Sequence, residues 1–325
     1  MLPNKHNWCG GNYSDWLEVM LTDKCNGKCS WCVEKSGYHP EYHASTDELI
    51  SAITGYRPSR IKTSDRVNVI LLGGEPTLYK EIGILIEGIV KYASVYVTTN
   101  GGMITSEYVD EKLSLITGLN ISIHHYDLRK NEDITGILLN QDTLESAIAR
   151  CRYYNIGVRI NCNIISGHID SESKILDFIQ WARESGADKV RFAELKIDEN
   201  NFADLAKTMN YKYGLNDDPF ICGCNKDVVI NDMPVNFRQM CGLQTTKRAK
   251  PTNPKSINSK KVLYYDGVFY DGWQTTREEV DDVTEADIRK IIREELAQAL
   301  KEGKNTDESN APKTRKPDLN LGCCY

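Results

Sequence analysis

Cys25, Cys29 and Cys32 fall within eight residues of one another in the run Cys25-Asn-Gly-Lys-Cys29-Ser-Trp-Cys32. Thiolates at such spacing ligate iron or zinc. Three is the informative number. A 4Fe-4S cube has four irons at alternate corners, so three cysteines leave one iron open to bind and activate a small molecule, whereas a closed electron-transfer cube takes four. Gly27 and Lys28 let the loop curl, and Trp31 beside the last sulfur would shield a cluster from solvent and tune its potential. Spacing alone leaves a zinc site or incidental buried thiols open. Two further polar segments carry chemistry. In Gly73-Gly74-Glu75-Pro76 the glycines permit close backbone approach and Glu75 offers an acceptor for an ammonium. In Thr98-Thr99-Asn100-Gly101 hydroxyls and an amide are available to hydrogen-bond hydroxyl and carboxylate groups, the plainer reading being a polar turn.

These residues need a frame, and the apolar pattern supplies one. Short runs rich in Val, Ile and aromatics at residues 16–21, 67–72, 95–99, 119–124, 157–163 and 189–194 read as strands. Amphipathic stretches separate them at 80–92, 106–116, 141–155 and 173–185, and the first helix opens with the capping-box spacing Ser45-x-x-Glu48. Gly118, Gly157 and Gly186 stand where left-handed C-caps are expected. Six βα units imply parallel strands with right-handed crossovers, in a doubly wound sheet or part of a barrel. Either way the chemistry gathers at the strands' C-terminal ends, where the cysteine run, the glycine pair and the Thr-Asn-Gly segment fall.

The composition fits a soluble globular chain: 325 residues, 40% hydrophobic and 26% charged, with 40 − 46 = −6 net charges. No global positive field gathers nucleic acid, and no run approaches a membrane span or a signal peptide's apolar segment. The expectation is therefore a cytoplasmic protein with neither membrane nor nucleic acid as partner. Eleven cysteines in so long a chain are too sparse for a secreted disulfide scaffold. The expected organisation is an N-terminal extension (1–14), the βα core (15–200), a cysteine-containing C-terminal module with a hairpin near 261–273 (201–275), an amphipathic helix (276–303) and a flexible tail ending in Cys323-Cys324-Tyr325 (304–325).

With these segments in place, the chain resembles the radical SAM superfamily, whose C-x3-C-x2-C signature with an aromatic before the last cysteine is matched by Cys25, Cys29, Trp31 and Cys32. The resemblance covers roughly residues 14–195. It implies a partial (β/α)6 TIM-like barrel, a 4Fe-4S cluster on the three cysteines, and S-adenosylmethionine (SAM) on the open iron. An electron from a protein such as flavodoxin or ferredoxin would then cleave SAM to a 5'-deoxyadenosyl radical that abstracts hydrogen. The resemblance further implies that Gly73, Gly74, Glu75 and Pro76 contact the methionine amino group. Thr98, Thr99 and Asn100 would lie near the ribose and carboxylate, with Ser122, Asn161, Asn163 and Arg191 also facing the cofactor.

Strands five and six are similar to the molybdopterin-synthesis branch, which rearranges GTP, and to the related branch with cysteine-bearing C-terminal modules. The GTP enzymes carry arginines where this chain has Glu18 and Tyr79, so triphosphate recognition is not expected. Cys222, Cys224 and Cys241 admit three readings: a second iron-sulfur cluster, zinc, or inert thiols. Substrate-side candidates at strand ends are His124, His125, Tyr126, Arg159, Cys162, Arg191, Glu194 and Lys196. Alternation sets Arg191 and Glu194 on opposite faces, and a lone strand cysteine such as Cys162 is ordinarily core. The expected function is hydrogen abstraction from a small molecule or peptide; the alternatives are a glycyl-radical activase and a non-catalytic zinc or iron-sulfur protein.

Overall fold

The computed structural model describes residues 16–32, 39–56, 66–195, 200–217, 225–239 and 261–270. Six parallel strands lie side by side in chain order: β1 (Trp16–Met20), β2 (Val67–Leu72), β3 (Ala93–Thr99), β4 (Gly118–Ser122), β5 (Gly157–Asn163) and β6 (Lys189–Ala193). Helices α1 (Thr46–Gly55), α2 (Ile82–Ile89), α3 (Ser106–Tyr108), α4 (Leu128–Thr135), α5 (Gln141–Tyr153) and α6 (Glu172–Glu184) occupy the crossovers, and a short α7 (Leu205–Thr208) follows the sixth strand. The sheet does not close. At one edge β8 (Met233–Arg238) runs parallel to β6 and carries antiparallel β7 (Asn225–Ile230); at the other β9 (Lys261–Leu263) runs parallel to β1 and carries antiparallel β10 (Phe269–Tyr270). The fold is an open, partial (β/α)6 barrel whose two hairpins are continuous with its sheet.

Parallel strands buried on both faces ordinarily read as unbroken apolar runs. Here they alternate, and the register says why. Leu17, Val69, Val97, Leu119, Ile121, Val158, Ile160, Val190 and Phe192 form one face and pack against helix residues such as Leu49, Leu85, Ile148 and Phe178. The opposite face carries Glu18, Tyr96, Thr98, Asn120, Ser122, Arg159, Asn161, Arg191 and Asn236, placed side by side by the same register. The concave side is thus polar where the helix-covered side is oily. Phe192 stacks with Phe237 at 5.8 Å and meets Phe178 edge-on at 5.4 Å, joining the β7–β8 hairpin to the core. Met20, Val262, Tyr264, Tyr265 and Tyr270 form a second apolar cluster that seats the β9–β10 hairpin.

Local chemistry sets the ends of the elements. Ser45 and Glu48 make the expected capping box of α1. Gly186 takes φ +89° after α6 as anticipated, but Gly118 and Gly157 are the first residues of β4 and β5 rather than C-caps. After α5 the left-handed position belongs to Asn155 (φ +57°), whose short polar side chain tolerates it. The helix expected over 106–116 is one turn of α3 that passes into a π-helical turn, Val109–Leu113. The 276–303 helix, the 304–325 tail, Lys196, Cys222, Cys224, Cys241, Cys323 and Cys324 lie outside the described residues.

Candidate active site

Beyond β1 the chain continues alongside the end of β2 instead of turning away. Leu21 N–H donates to Leu72 O at 2.9 Å, Gly74 N–H to Thr22 O at 2.6 Å and Glu75 N–H to Lys24 O at 2.8 Å. This contact explains the glycine pair. A Cβ on Gly73 would stand 2.8 Å from the Thr22 carbonyl oxygen, and one on Gly74 would collide with the Asp23 and Lys24 backbone. From Cys25 the loop curls over the end of α4, where Lys28 N–H donates to Thr135 O at 2.7 Å. Gly136 (φ +72°) follows, and the Lys28 stem packs where a Cβ on Gly136 would point. The cysteine loop is therefore clamped between the glycine turn and the C-terminus of α4.

Glu75 is 1% exposed, and its carboxylate is engaged within the protein. Oε1 accepts from Thr77 N–H (3.1 Å), Thr77 Oγ1 (2.5 Å) and Thr99 Oγ1 (2.6 Å), while Oε2 accepts from Asn100 N–H (2.7 Å). Glu75 is thus a strut between the glycine turn and the end of β3 rather than an open acceptor. Pro76 opens the 3-10 turn Pro76–Leu78 that Glu75 caps. Asn100 reaches the cysteine loop: Nδ2 donates to Asn26 Oδ1 at 2.7 Å and approaches Cys25 Sγ at 4.0 Å, while Oδ1 accepts from Gly102 N–H at 2.9 Å. Thr98 lies on the concave face and accepts from Asn120 Nδ2 at 3.0 Å.

Cys25, Cys29 and Cys32 are free thiols on the exposed to half-buried loop. Partial desolvation raises the Cys25 thiol, the charges of Glu75 and Cys32 add to that, and the Gly27 N–H and Asn100 amide act the other way. Among the described residues no three His, Cys, Asp or Glu groups converge at single-ion distance. The donor set fits the cube: three thiols on one loop, with N–H donors aimed at Cys25. Trp31 meets His124 edge-on at 5.4 Å. His124 is buried, its Nδ1 accepts from Asn163 N–H at 3.0 Å, and its own N–H donates to Asn131 Oδ1 at 2.7 Å. Burial pulls its imidazole down to about 4.

Ser122 and Asn161 are register neighbours on the concave face, with Arg191 next to Asn161. Arg191 is 7% exposed; Nε donates to Asn236 Oδ1 at 2.8 Å, and Nη2 is buried with no hydrogen-bond partner, as is Asn161 Oδ1. Arg159 lies on the same face near Tyr96, whose phenol is raised by burial against the opposing charge of Arg159. Other candidates sit elsewhere. Cys162 is fully buried among the apolar residues of the helix-covered face, and burial pushes its thiol well up. Glu194 Oε1 accepts from Leu205 N–H at 2.8 Å at the start of α7. Tyr79 OH bonds Thr46 Oγ1 at 2.6 Å, tying the 3-10 turn to α1. His125 Nδ1 accepts from Asp127 N–H at 2.9 Å, and its ring lies against Tyr126.

Sequence reasoning missed Asn26, Thr135 and Gly136 as holders of the cysteine loop. The one local signal was the Asp127 N-cap and Gly136 C-cap bracketing α4.

Several curated proteins are similar to part of this chain. Molybdenum cofactor biosynthesis protein 1 of Dictyostelium discoideum is 29% identical over 214 residues, 61% of this chain and 32% of that one. GTP 3',8-cyclase of Haemophilus influenzae is 28% identical over 186 residues, covering 55% of this chain and 53% of that one. The Clostridium perfringens GTP 3',8-cyclase is 31% identical over 191 residues, 57% of this chain and 56% of that one. The chain thus spans about a third to about half the length of these relatives. Among solved structures, Streptococcus suis SuiB bound to S-adenosylmethionine superposes with a TM-score of 0.54 at 16% identity, covering 79% of this chain and 58% of that one. Native anSMEcpe with bound AdoMet and Cp18Cys peptide gives 0.51 at 14%, covering 84% and 81%. These two likenesses show the fold. The signature of the radical SAM superfamily matches residues 19–208, more than half of the chain, and takes in the end of β1, the cysteine loop, the glycine turn and strands β2 to β6, so the protein is an enzyme of the radical SAM superfamily.

Proposed function

We propose that the protein holds a 4Fe-4S cluster on Cys25, Cys29 and Cys32 and S-adenosylmethionine across the ends of β1 to β4, and that it abstracts hydrogen from a polar substrate. When bound, the cluster supplies the electron, received from a protein such as flavodoxin or ferredoxin, that breaks the C5'–S bond to give methionine and a 5'-deoxyadenosyl radical, which takes a hydrogen atom from a substrate C–H bond. The observation that carries this reading is the backbone zipper between residues 21–24 and 72–75. It fixes the cysteine loop, the glycine turn and, through Glu75, the Thr99-Asn100 segment as one rigid group.

The remaining residues divide the labour. Gly73 and Gly74 let the backbone leading to the cysteine loop pack against their turn, Thr98 and Ser122 present hydroxyls from the concave face, and Trp31 limits water at the cluster. The concave face of β5, β6 and β8 offers Arg191 Nη2 and Asn161 Oδ1, both buried and unpartnered, together with Asn163 and Arg159. That lining suits a substrate bearing an anionic or amide group. Glu18 on the first strand and Tyr79, committed to Thr46, supply no cationic fork, which favours a small molecule or peptide over a nucleoside triphosphate.

Anaerobic reconstitution tests this, with iron, sulfide and 5'-deoxyadenosine measured for the wild type and for a variant carrying Cys25→Ala, Cys29→Ala and Cys32→Ala. The expected result is about four irons and dithionite-dependent SAM cleavage in the wild type, with cleavage abolished in the variant. About four irons surviving in the variant would place a second cluster at Cys222, Cys224 and Cys241. A wild type that takes up stoichiometric zinc, holds no iron and leaves SAM intact would sink the enzyme reading.

A further inference from the structure

We propose that Glu75 and Asn100 work as one positioning unit on the cluster ligand Cys25, with Glu75 setting the Asn100 backbone and Asn100 turning its amide N–H onto the Cys25 sulfur. The proposal rests on the reading that Cys25, Cys29 and Cys32 hold the cluster. Its starting point is the acceptor inventory of Glu75. Three donors from Thr77 and Thr99 converge on Oε1 and one from Asn100 on Oε2, in a side chain 1% exposed. So enclosed a group reaches the cysteine loop through its neighbours.

Asn100 is the neighbour that leads to the cluster. Its N–H is fixed on Glu75 Oε2 at 2.7 Å, and Oδ1 is taken by Gly102 N–H at 2.9 Å. The orientation of the amide follows, because Oδ1 is already an acceptor and Nδ2 must face the cysteine loop. There Nδ2 donates to Asn26 Oδ1 at 2.7 Å and stands 4.0 Å from Cys25 Sγ, which also receives Gly27 N–H at 3.2 Å. N–H groups pointing at a cluster thiolate favour the more negative, reduced state and raise the potential. The unit therefore makes the cluster easier to reduce before any cofactor binds, a role distinct from contact with methionine or ribose.

The test is an EPR-monitored redox titration of the reconstituted protein without SAM, so that cofactor contacts play no part. Asn100→Ala removes the donor; Asn100→Asp keeps the shape and the Gly102 contact but removes the N–H. Both are expected to lower the potential, so that the reduced-to-oxidised ratio at fixed ambient potential falls on the order of fivefold, the worth of one net hydrogen bond. In a Glu75→Gln background, where the amide nitrogen no longer accepts from Asn100 N–H, the Asn100→Ala step is expected to vanish. Unchanged potentials in both Asn100 variants would overturn the proposal, and an Asn100→Ala step equally large in both backgrounds would remove Glu75 from it. Failure of the wild type to build the cluster would instead overturn the reading on which it rests.

Discussion

His124 illustrates how much one side chain settles near the cysteine loop. With Nδ1 accepting from Asn163 N–H, the ring proton is on Nε2, and the backbone N–H is held by Asn131, so ring and tautomer are both fixed. Burial holds the folded imidazole at about 4 against an ordinary 6.5. Between those values the unfolded chain binds the extra proton, so stability is lost as pH falls from about 6.5 towards 4 and is flat with respect to this group above that window. Replacing His124 with Asn, whose Oδ1 can accept from Asn163 N–H, is expected to remove about 2 kcal/mol of the stability lost between pH 6.5 and 4.5. Urea midpoints at pH 4.5, 5.5 and 7 check this, and parallel losses in wild type and variant would refute it. Thiol environment separates the cysteines in the same way. Cys151 and Cys162 are fully buried, burial pushing the Cys151 thiol up to about 12, whereas Cys25 is exposed and Cys29 and Cys32 are half-buried. Brief iodoacetamide treatment of the apo protein, read by peptide mass spectrometry, should modify the loop thiols and spare Cys151 and Cys162 until denaturant is added. Labelling of Cys162 in the native protein would contradict its place in the core.

The elements around the loop predict unequal costs for two similar glycine substitutions. A methyl on Gly74 meets the Asp23 and Lys24 backbone, which cannot move without breaking the zipper to β2, whereas a methyl on Gly136 meets the flexible Lys28 stem. Gly74→Ala should cost on the order of 3 kcal/mol and abolish iron incorporation, while Gly136→Ala should cost about 1 kcal/mol for its left-handed backbone and retain most of the iron. Thermal melts with iron counts decide between them; comparable iron retention in both would show that the glycine turn does not hold the cysteine loop. The strands that carry the site were legible in the sequence because their apolar residues alternate: Glu18, Asn120 and Arg159 interrupt Val and Ile runs where the chain faces the concave side. α4 was not legible. Its sequence, Leu-Arg-Lys-Asn-Glu-Asp-Ile-Thr, lacks an apolar stripe of useful length, and its order comes from the Asp127 cap and the docked cysteine loop. Sequence spacing suggested Glu75 as a ligand acceptor, but the number of donors it meets depends on Thr99 and Asn100, which lie on another strand and its end.

At the scale of the whole molecule, the sheet is held at both edges by hairpins that come late in the chain. Phe237 is fully buried and stacks on Phe192, so Phe237→Ala should destabilise the protein by about 3 to 5 kcal/mol through the β6–β8 seam, measured as a lowered urea midpoint; a change below about 1 kcal/mol would mean that the seam contributes little. The opposite edge has a temporal consequence. β1 precedes every other strand of the sheet in the chain, but its outer neighbour β9 is encoded about 240 residues later. At about 5 to 20 residues per second, a ribosome needs roughly ten to fifty seconds to deliver that partner. During this interval a nascent chain carries the outer edge of β1 uncovered and open to unwanted strand addition. Messages truncated before codon 261 should therefore yield a product more prone to self-association than the full chain, with β1 as the point of contact.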